Sequence, residues 1–354
     1  MAVYTTIDNP ELYFQTKLYT GNGSTQSLTF DGSEDMQPDF LWFKQRDGTG
    51  THAVFDSVRG TTGSVYRRLL PQDNGAEDTA ANTLTAIGTD GFSISSDGNI
   101  NGSSETMVAW CWKAGGSGSS NTDGSINTTS TSANTTSGFS IVAYTGDGNS
   151  SATLGHGLSS APKVLINKTR SLSGYDWNVQ HGALGATKYL YLSSNATEAT
   201  NIGMWNNTAP TSSVFTVGTY DNVNKVSETY VTYCFSEVQG FSKFGSYYGN
   251  GSSSGSYIHL GFRASFILLK NTTTATRDWM MYDSKRQGYN GANNYIVANT
   301  NGSDQTGIEI DILSNGFKAR SSATGLNASG VKHIYMAFAE APFVNSKGVP
   351  CNAR

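Results

Sequence analysis

The stretch GFSISSDGNINGSSETMVAWCWKA (residues 91–114) is written three times. Its counterparts are VFTVGTYDNVNKVSETYVTYCFSE (214–237) and GFKARSSATGLNASGVKHIYMAFAE (316–340). Each copy opens with a Phe (Phe92, Phe215, Phe317), passes through a Gly/Asn/Asp/Ser-rich turn and ends in an alternating apolar run, the pattern of a β-hairpin. Successive strand side chains point to opposite faces, so the closing runs can be read face by face. One face carries Val108, Trp110 and Trp112, then Val231, Tyr233 and Phe235, then Ile334, Met336 and Phe338, all large and all expected in a core. The other carries Cys111, Cys234 and Ala337, small residues that predict a second layer of chain close by.

Three further landmarks recur in one order. The motif YTGNG (19–23) returns as YTGDG (144–148) and YYGNG (247–251), a strand entering a glycine turn. Apolar strands end in Lys44, Lys168 and Lys270; alternating segments then end in Asp56, His181 and Asp283. A period repeated in this way marks tandem copies of one unit. The expected fold class is all-β, with three tandem antiparallel β-sandwich (jelly-roll or concanavalin-like) repeats, because short strands alternate with Gly-rich turns and no long helical stripe occurs. The best helical segment is a turn or two around 183–188.

The boundaries follow from these landmarks. Residues 1–17 read as an N-terminal arm whose apolar island, Pro10 to Phe14, either docks on another subunit or protein or adds a strand to the first sandwich. Repeat one covers 18–114, with a polar long loop over 69–85. Residues 115–137 read as a Gly/Ser/Thr/Asn linker whose ends, as a flexible coil, lie on the order of 25 Å apart. Repeat two covers 138–239, repeat three 240–343, and 344–354 is a polar tail. With no spacer between them, repeats two and three are expected to pack rigidly together, with repeat one set apart.

Composition narrows the function. The 354 residues are only 14% charged with a net charge of −4, and no basic block is present, which argues against a nucleic-acid partner. Neither a signal peptide nor an apolar run long enough for membrane insertion is evident. The three cysteines read as free thiols of a chain made in a reducing cytoplasm. The Asn-x-Ser/Thr triplets at Asn22, Asn101, Asn250, Asn271, Asn301 and Asn327 are what such a composition produces by chance.

Several residues invite chemistry. Glu309 and Asp311 stand two apart on a strand and share a face, as a glycosidase carboxylate pair requires; the Glu-x-Asp spacing resembles the β-glucanase signature but lacks its further Glu, and a solvated strand face accounts for it better. His52, Asp56 and Ser57 contain the residue types of a hydrolase triad, but Ser57 would face away from the other two. Asp73, Asp97 and Asp147 begin turn-type sequences with oxygen ligands for Ca²⁺, without the spaced acidic residues of a full loop, and no zinc spacing is present; neither a metal nor a cofactor is expected. Trp205 and Tyr289 lie in polar loops, where a ring can stack on a sugar.

The segments IDNP (7–10), YFQT (13–16), VFDSVRG (54–60), VAWCWKA (108–114), GFSIV (138–142), GFSKFG (240–245) and AFAEAPF (337–343) resemble virion proteins of tailed phages, notably those of marine cyanobacteria, that carry a domain of unknown function. The resemblance implies a non-enzymatic tail-fibre or spike-like subunit for host attachment, assembled in the host cytoplasm and located in the virion. A fibre role carries the expectation of homo-oligomers, with a trimer as the common arrangement although no coiled-coil heptads are present; the apolar island of the N-terminal arm is where contacts to other virion proteins are expected, and a host cell-surface glycan is the expected receptor class. The alternatives are a capsid-decoration or other tail protein with no receptor role, and a carbohydrate-active enzyme or lectin.

Overall fold

The structure is a computed structural model that describes residues 5–286, 290 and 293–342. The fold is all-β, and among the described residues the α-helices are single turns of four residues. Three large antiparallel sheets contain the same four-strand order. In copy one it runs Phe14–Thr20, Thr106–Trp112, Phe40–Gln45, Ala53–Asp56; in copy two Phe139–Thr145, Thr229–Phe235, Val164–Thr169, Asn178–His181; in copy three Ser242–Tyr248, Lys332–Pro342, Phe262–Asn271, Trp279–Asp283. Registers agree as well: Trp42 lies opposite Trp110, Ile166 opposite Tyr233 and Leu268 opposite Met336.

The hairpin expectation is corrected. Phe92–Ile94 does not pair with Thr106–Trp112; it joins Gln26–Leu28 and Leu84–Ile87 in a small outer sheet. Val214–Val217 and Gly316–Ala319 do the same in copies two and three, pairing with Ala152–Gly155 and with Tyr257–His259 and Ile310–Leu313. The chain between the two runs crosses from outer to inner sheet through a one-turn helix (Gly98–Asn101, Asp221–Asn224, Thr324–Asn327). A buried Asn ends each turn, and its amide clamps the glycine motif: Asn101, Asn224 and Asn327 accept through Oδ1 from the N–H of Asn22, Asp147 and Asn250 at 3.0, 2.9 and 2.9 Å. The Tyr of the same motif donates to the carbonyl of Ile100, Val223 or Leu326. The glycine is required by proximity, since a Cβ on Gly21, Gly146 or Gly249 would sit 2.1, 2.3 or 2.3 Å from a backbone oxygen. Of the Asn-x-Ser/Thr sites, Asn101, Asn271 and Asn327 are fully buried.

The two faces of each closing strand go where their side chains dictate. Cys111 packs with Phe92 and Ile94 against the outer sheet of copy one, and Cys234 packs with Phe215 and Val217 in copy two, so the small side chains do mark the second layer. Both thiols are free and buried; Cys351 lies outside the described residues. The nine large residues of the opposite face all enter one cluster shared by the three copies. Phe40 lies 4.4 Å from Tyr233, Trp112 lies 5.4 Å from Phe266, and Phe235 lies 5.8 Å from Phe338 (ring centroids), so each copy touches the next around a common apolar centre. A void of about 20 Å³ in this centre is lined by Phe40, Trp112, Ile166, Tyr233, Leu268 and Met336, among others.

This packing overturns the expectation that repeat one is set apart on a flexible tether. Within 115–137, Ser130–Asn134 adds a strand beside Phe139–Thr145, and Ile126 is buried in the core of copy two. The residues look like a linker because their side chains are small, but their backbone groups are paired. Of the two readings of the N-terminal arm, the structure shows the added strand on the first sheet. Ile7 and Phe14 are buried in the shared centre, Phe14 stacks on Phe338 at 5.7 Å, and Phe14–Thr20 is the edge strand of copy one's sheet, so the island is spent within its own chain. The helical turn expected at 183–188 is a 3-10 turn, Gly182–Leu184, followed by the strand Lys188–Tyr191.

Candidate functional site

The polar residues that looked chemical are the ones that join the copies. In copy one the Asp56 carboxylate accepts from Arg59 Nε at 2.5 Å and from the hydroxyl of Tyr233, in copy two, at 2.7 Å. In copy three Asp283 is paired with Arg286 and accepts from the indole Nε1 of Trp110, in copy one, at 2.9 Å. Trp110, Tyr233 and Met336 occupy the same register position, so copy three faces copy two with no side-chain N–H or O–H donor there. The opposing position in copy two is His181, whose Nε2–H donates to the Tyr335 carbonyl at 3.1 Å while Nδ1 accepts from the Ala183 N–H. Leu184 stands where the other copies have Arg59 and Arg286. Copy two thus replaces carboxylate, guanidinium and facing donor together by a neutral set.

Burial sets the charge states. A carboxylate in an apolar interior is costly unless charge and hydrogen bonds favour its ionised form. Burial works to raise the Asp56 carboxyl, but the charge of Arg59 and the bonds from Arg59 and Tyr233 outweigh it and hold the group below the usual range. His181 is pushed down to about 4, mainly by burial, and stays neutral.

Two more rings of contacts join the copies. His52, Trp177 and Trp279 begin equivalent segments, and their ring N–H groups donate to the carbonyls of Val297, Leu70 and Tyr191 in the neighbouring copy at 3.0, 2.9 and 2.8 Å. Trp42 Nε1 donates to His52 Nδ1 at 2.9 Å, which fixes the neutral tautomer. The backbone N–H groups of Glu77, Glu198 and Asp304 each donate at 2.7 Å to the carbonyls of Arg170, Thr272 and Arg46 in the adjoining copy. Glu77 also binds the Arg59 and Arg170 guanidinium groups, and Asp304 binds those of Arg286 and Arg46. The loop over 69–85 therefore carries part of the joint between copies one and two. The recurring lysines turn inward and are capped by carbonyls, Lys44 by Gln45, Lys168 by Tyr175 and Lys270 by Arg277; burial lowers each to about 8.

The individual site candidates separate. His52, Asp56 and Ser57 do not come together as a triad, in keeping with the outward direction expected of Ser57: the first two have the partners given above and Ser57 Oγ donates to the Gly116 carbonyl. Trp205 is not a loop aromatic: it is fully buried in a one-turn helix, Ile202–Trp205, packed in the core of copy two. That copy's outer sheet has two strands where the others have three, and Met204 and Trp205 fill the gap. Tyr289 lies outside the described residues. Asp311 is on the edge strand Ile310–Leu313 and pairs with Arg320 at 3.2 Å, while Ile310 and Ile312 point into the core. Glu309 precedes that strand, half-buried, its carbonyl accepting from the Arg320 N–H. Of the turn aspartates, Asp97 caps the Gly98–Asn101 helix, Asp73 accepts from the Gly75 N–H, and Asp147 accepts from Asn149 and Asn224.

The inter-copy partners were hidden because each bond joins residues far apart in sequence, 177 positions for Asp56 and Tyr233. The available signal was the concerted change of His181, Leu184 and Met336 away from the pattern of the other copies.

These sheets, arranged around one apolar centre and tied by repeated polar bonds, define the chain as an all-β protein of internally repeated units. The family described as Domain of unknown function (DUF7483) matches residues 9–342, and the chain belongs to that family. The match spans all three copies. No curated protein and no solved structure matches the chain.

Proposed function

We propose that the chain is a non-enzymatic structural subunit of a tailed-phage virion, a tail-fibre or spike-like element that attaches to the host surface and assembles as a homo-oligomer, with a trimer as the expected state. The carrying observation is that Asp56, His52, His181 and Asp283, the ionisable groups most suited to chemistry, are buried and bonded across copies, while the buried Arg59 is held by Asp56 and Glu77 of its own copy. Groups fixed in this way serve rigidity, and a rigid body with neutral outward loops suits weak contacts multiplied by avidity. The resemblance of the motifs at 54–60, 108–114 and 337–343 supplies the virion setting. Immunogold labelling of intact particles, joined to binding of labelled protein to host cells, tests the reading: label on tail fibres and saturable cell binding support it, and label on the capsid without cell binding favours decoration.

A second reading, a sugar-active protein using Glu309 and Asp311, rests on their adjacent outward positions. The Asp311–Arg320 pair favours a binding or structural role over acid–base work. Hydrolysis of host polysaccharide by the wild type and not by Glu309→Gln would establish the enzyme instead.

A further inference from the structure

The outer sheets carry the same framework but different exposed faces. Aligned on Phe92, Phe215 and Phe317, the cross-strand pair that is Ser27 opposite Ser93 in copy one and Thr153 opposite Thr216 in copy two becomes Tyr257 opposite Lys318 in copy three. The next outward position is Thr29, then Gly155, then His259. The residue after the conserved Tyr is Thr20, then Thr145, then Tyr248. Small neutral side chains at four positions are thus replaced in one copy only by two tyrosines, a histidine and a lysine. Packing does not require this, because Tyr248 and Tyr257 are 63% and 46% exposed and Ile258 between the outward residues fills the core.

The Tyr257 ring is held at its hydroxyl end, and the Tyr248 backbone is tied close to it. The Tyr257 hydroxyl donates to the Asn315 carbonyl and lies 3.3 Å from His259 Nδ1, so the ring edge is anchored while the ring itself stays exposed. Ser256 Oγ donates to the Tyr248 carbonyl, which places the second tyrosine at the same end of the sheet. Lys318 Nζ has Ser254 Oγ at 3.3 Å and, among the described residues, no carboxylate within 4.0 Å. Beyond His259 an open hollow of about 400 Å³ is lined by Lys243, Glu237 and Gln239.

We propose that this face of copy three, centred on Tyr257 and Lys318, binds an uncharged saccharide. Aromatic faces match the C–H face of a pyranose, and closely spaced donors and acceptors match its hydroxyls. Charge selects the uncharged class: Lys243, Lys318 and Arg320 are balanced by Glu237, Glu309 and Asp311, three against three, so the face offers no excess to an acidic or basic polymer. That such binding serves host attachment rests on the function proposed above; the binding itself does not.

Affinity electrophoresis of the full chain through gels containing glucan, galactan, mannan or, as the acidic arm, alginate tests this directly. Retardation by a neutral polymer is expected, weakened about tenfold by Tyr257→Ala and several-fold by Lys318→Ala, with Ser27→Ala and Ser93→Ala at the equivalent place in copy one having no effect. The exposed substitutions leave the thermal midpoint unchanged, which separates lost binding from lost folding. Retardation by none of the neutral polymers, stronger retardation by alginate, or retardation insensitive to Tyr257→Ala overturns the proposal. If no neutral polymer retards the chain while it still binds host cells, the saccharide site fails and the attachment function stands; if neutral glycan binding is present and lost in Tyr257→Ala but the chain neither binds cells nor sits on fibres, the reverse holds.

Discussion

The indole of Trp110 donates to the buried carboxylate of Asp283 at 2.9 Å, joining the closing strand of the first copy to the end of a core strand in the third. Removing the donor while keeping the ring apolar leaves a buried oxygen short of a partner, at about 1–3 kcal/mol. Tyr233→Phe is therefore expected to lower stability by that amount in chemical denaturation, and Trp110→Phe by more, because the smaller ring also leaves a cavity in the core. Met336→Leu, at the equivalent position with no polar bond, is expected to cost less.

Breaking the ion pairs is expected to cost more. Asp56 and Arg59 have fully buried side chains, as do Asp283 and Arg286, and removing one partner strands the other charge, at roughly 3–5 kcal/mol. Arg59→Met and Arg286→Met should each show a loss of this size, whereas Asp311→Asn, at the exposed pair with Arg320, should change stability by less than about 1 kcal/mol.

The two buried, neutral histidines at the joints predict a pH dependence. His181 is depressed to about 4 and His52 to about 3, so as pH falls below the ordinary imidazole value of about 6.5 the unfolded chain takes up protons that the folded chain refuses. The stability these groups contribute is complete above pH 6.5 and is lost progressively toward pH 4 and below. The depressed carboxyl of Asp56 adds its own loss only below about pH 4. Thermal midpoints between pH 7 and 4 should fall, with a shallower slope for His181→Gln.

How far the sequence could be read follows from the range of each interaction. Alternation along Val108, Trp110 and Trp112 gave the buried face, and Cys111 with Cys234 gave the second layer, because both are local consequences of strand geometry. The partner of that buried face was not legible: an apolar face states only that something covers it, and here the cover is the same face of two other copies. Small polar side chains made 115–137 resemble a tether, although backbone pairing of Ser130–Asn134 needs no large side chain. Trp205 was misplaced for the reverse reason, since its polar neighbours concealed a single inward-turned helical turn.

The glycine motif gives a sharp substitution test. Gly21→Ala, Gly146→Ala and Gly249→Ala each press a methyl group against backbone, which cannot move aside as a side chain can, and each should destabilise by several kcal/mol. Gly98→Ala, with open space around it and no left-handed backbone, should be tolerated; thermal melts of the four variants make the comparison.

The central claim is that the three copies form one body around a shared apolar centre. Differential scanning calorimetry of the full chain tests it most directly. One cooperative transition, with the calorimetric enthalpy equal to the van't Hoff enthalpy and lowered as a whole by Trp110→Phe, is the predicted result. Separate transitions, with the variant shifting only one of them, would contradict it.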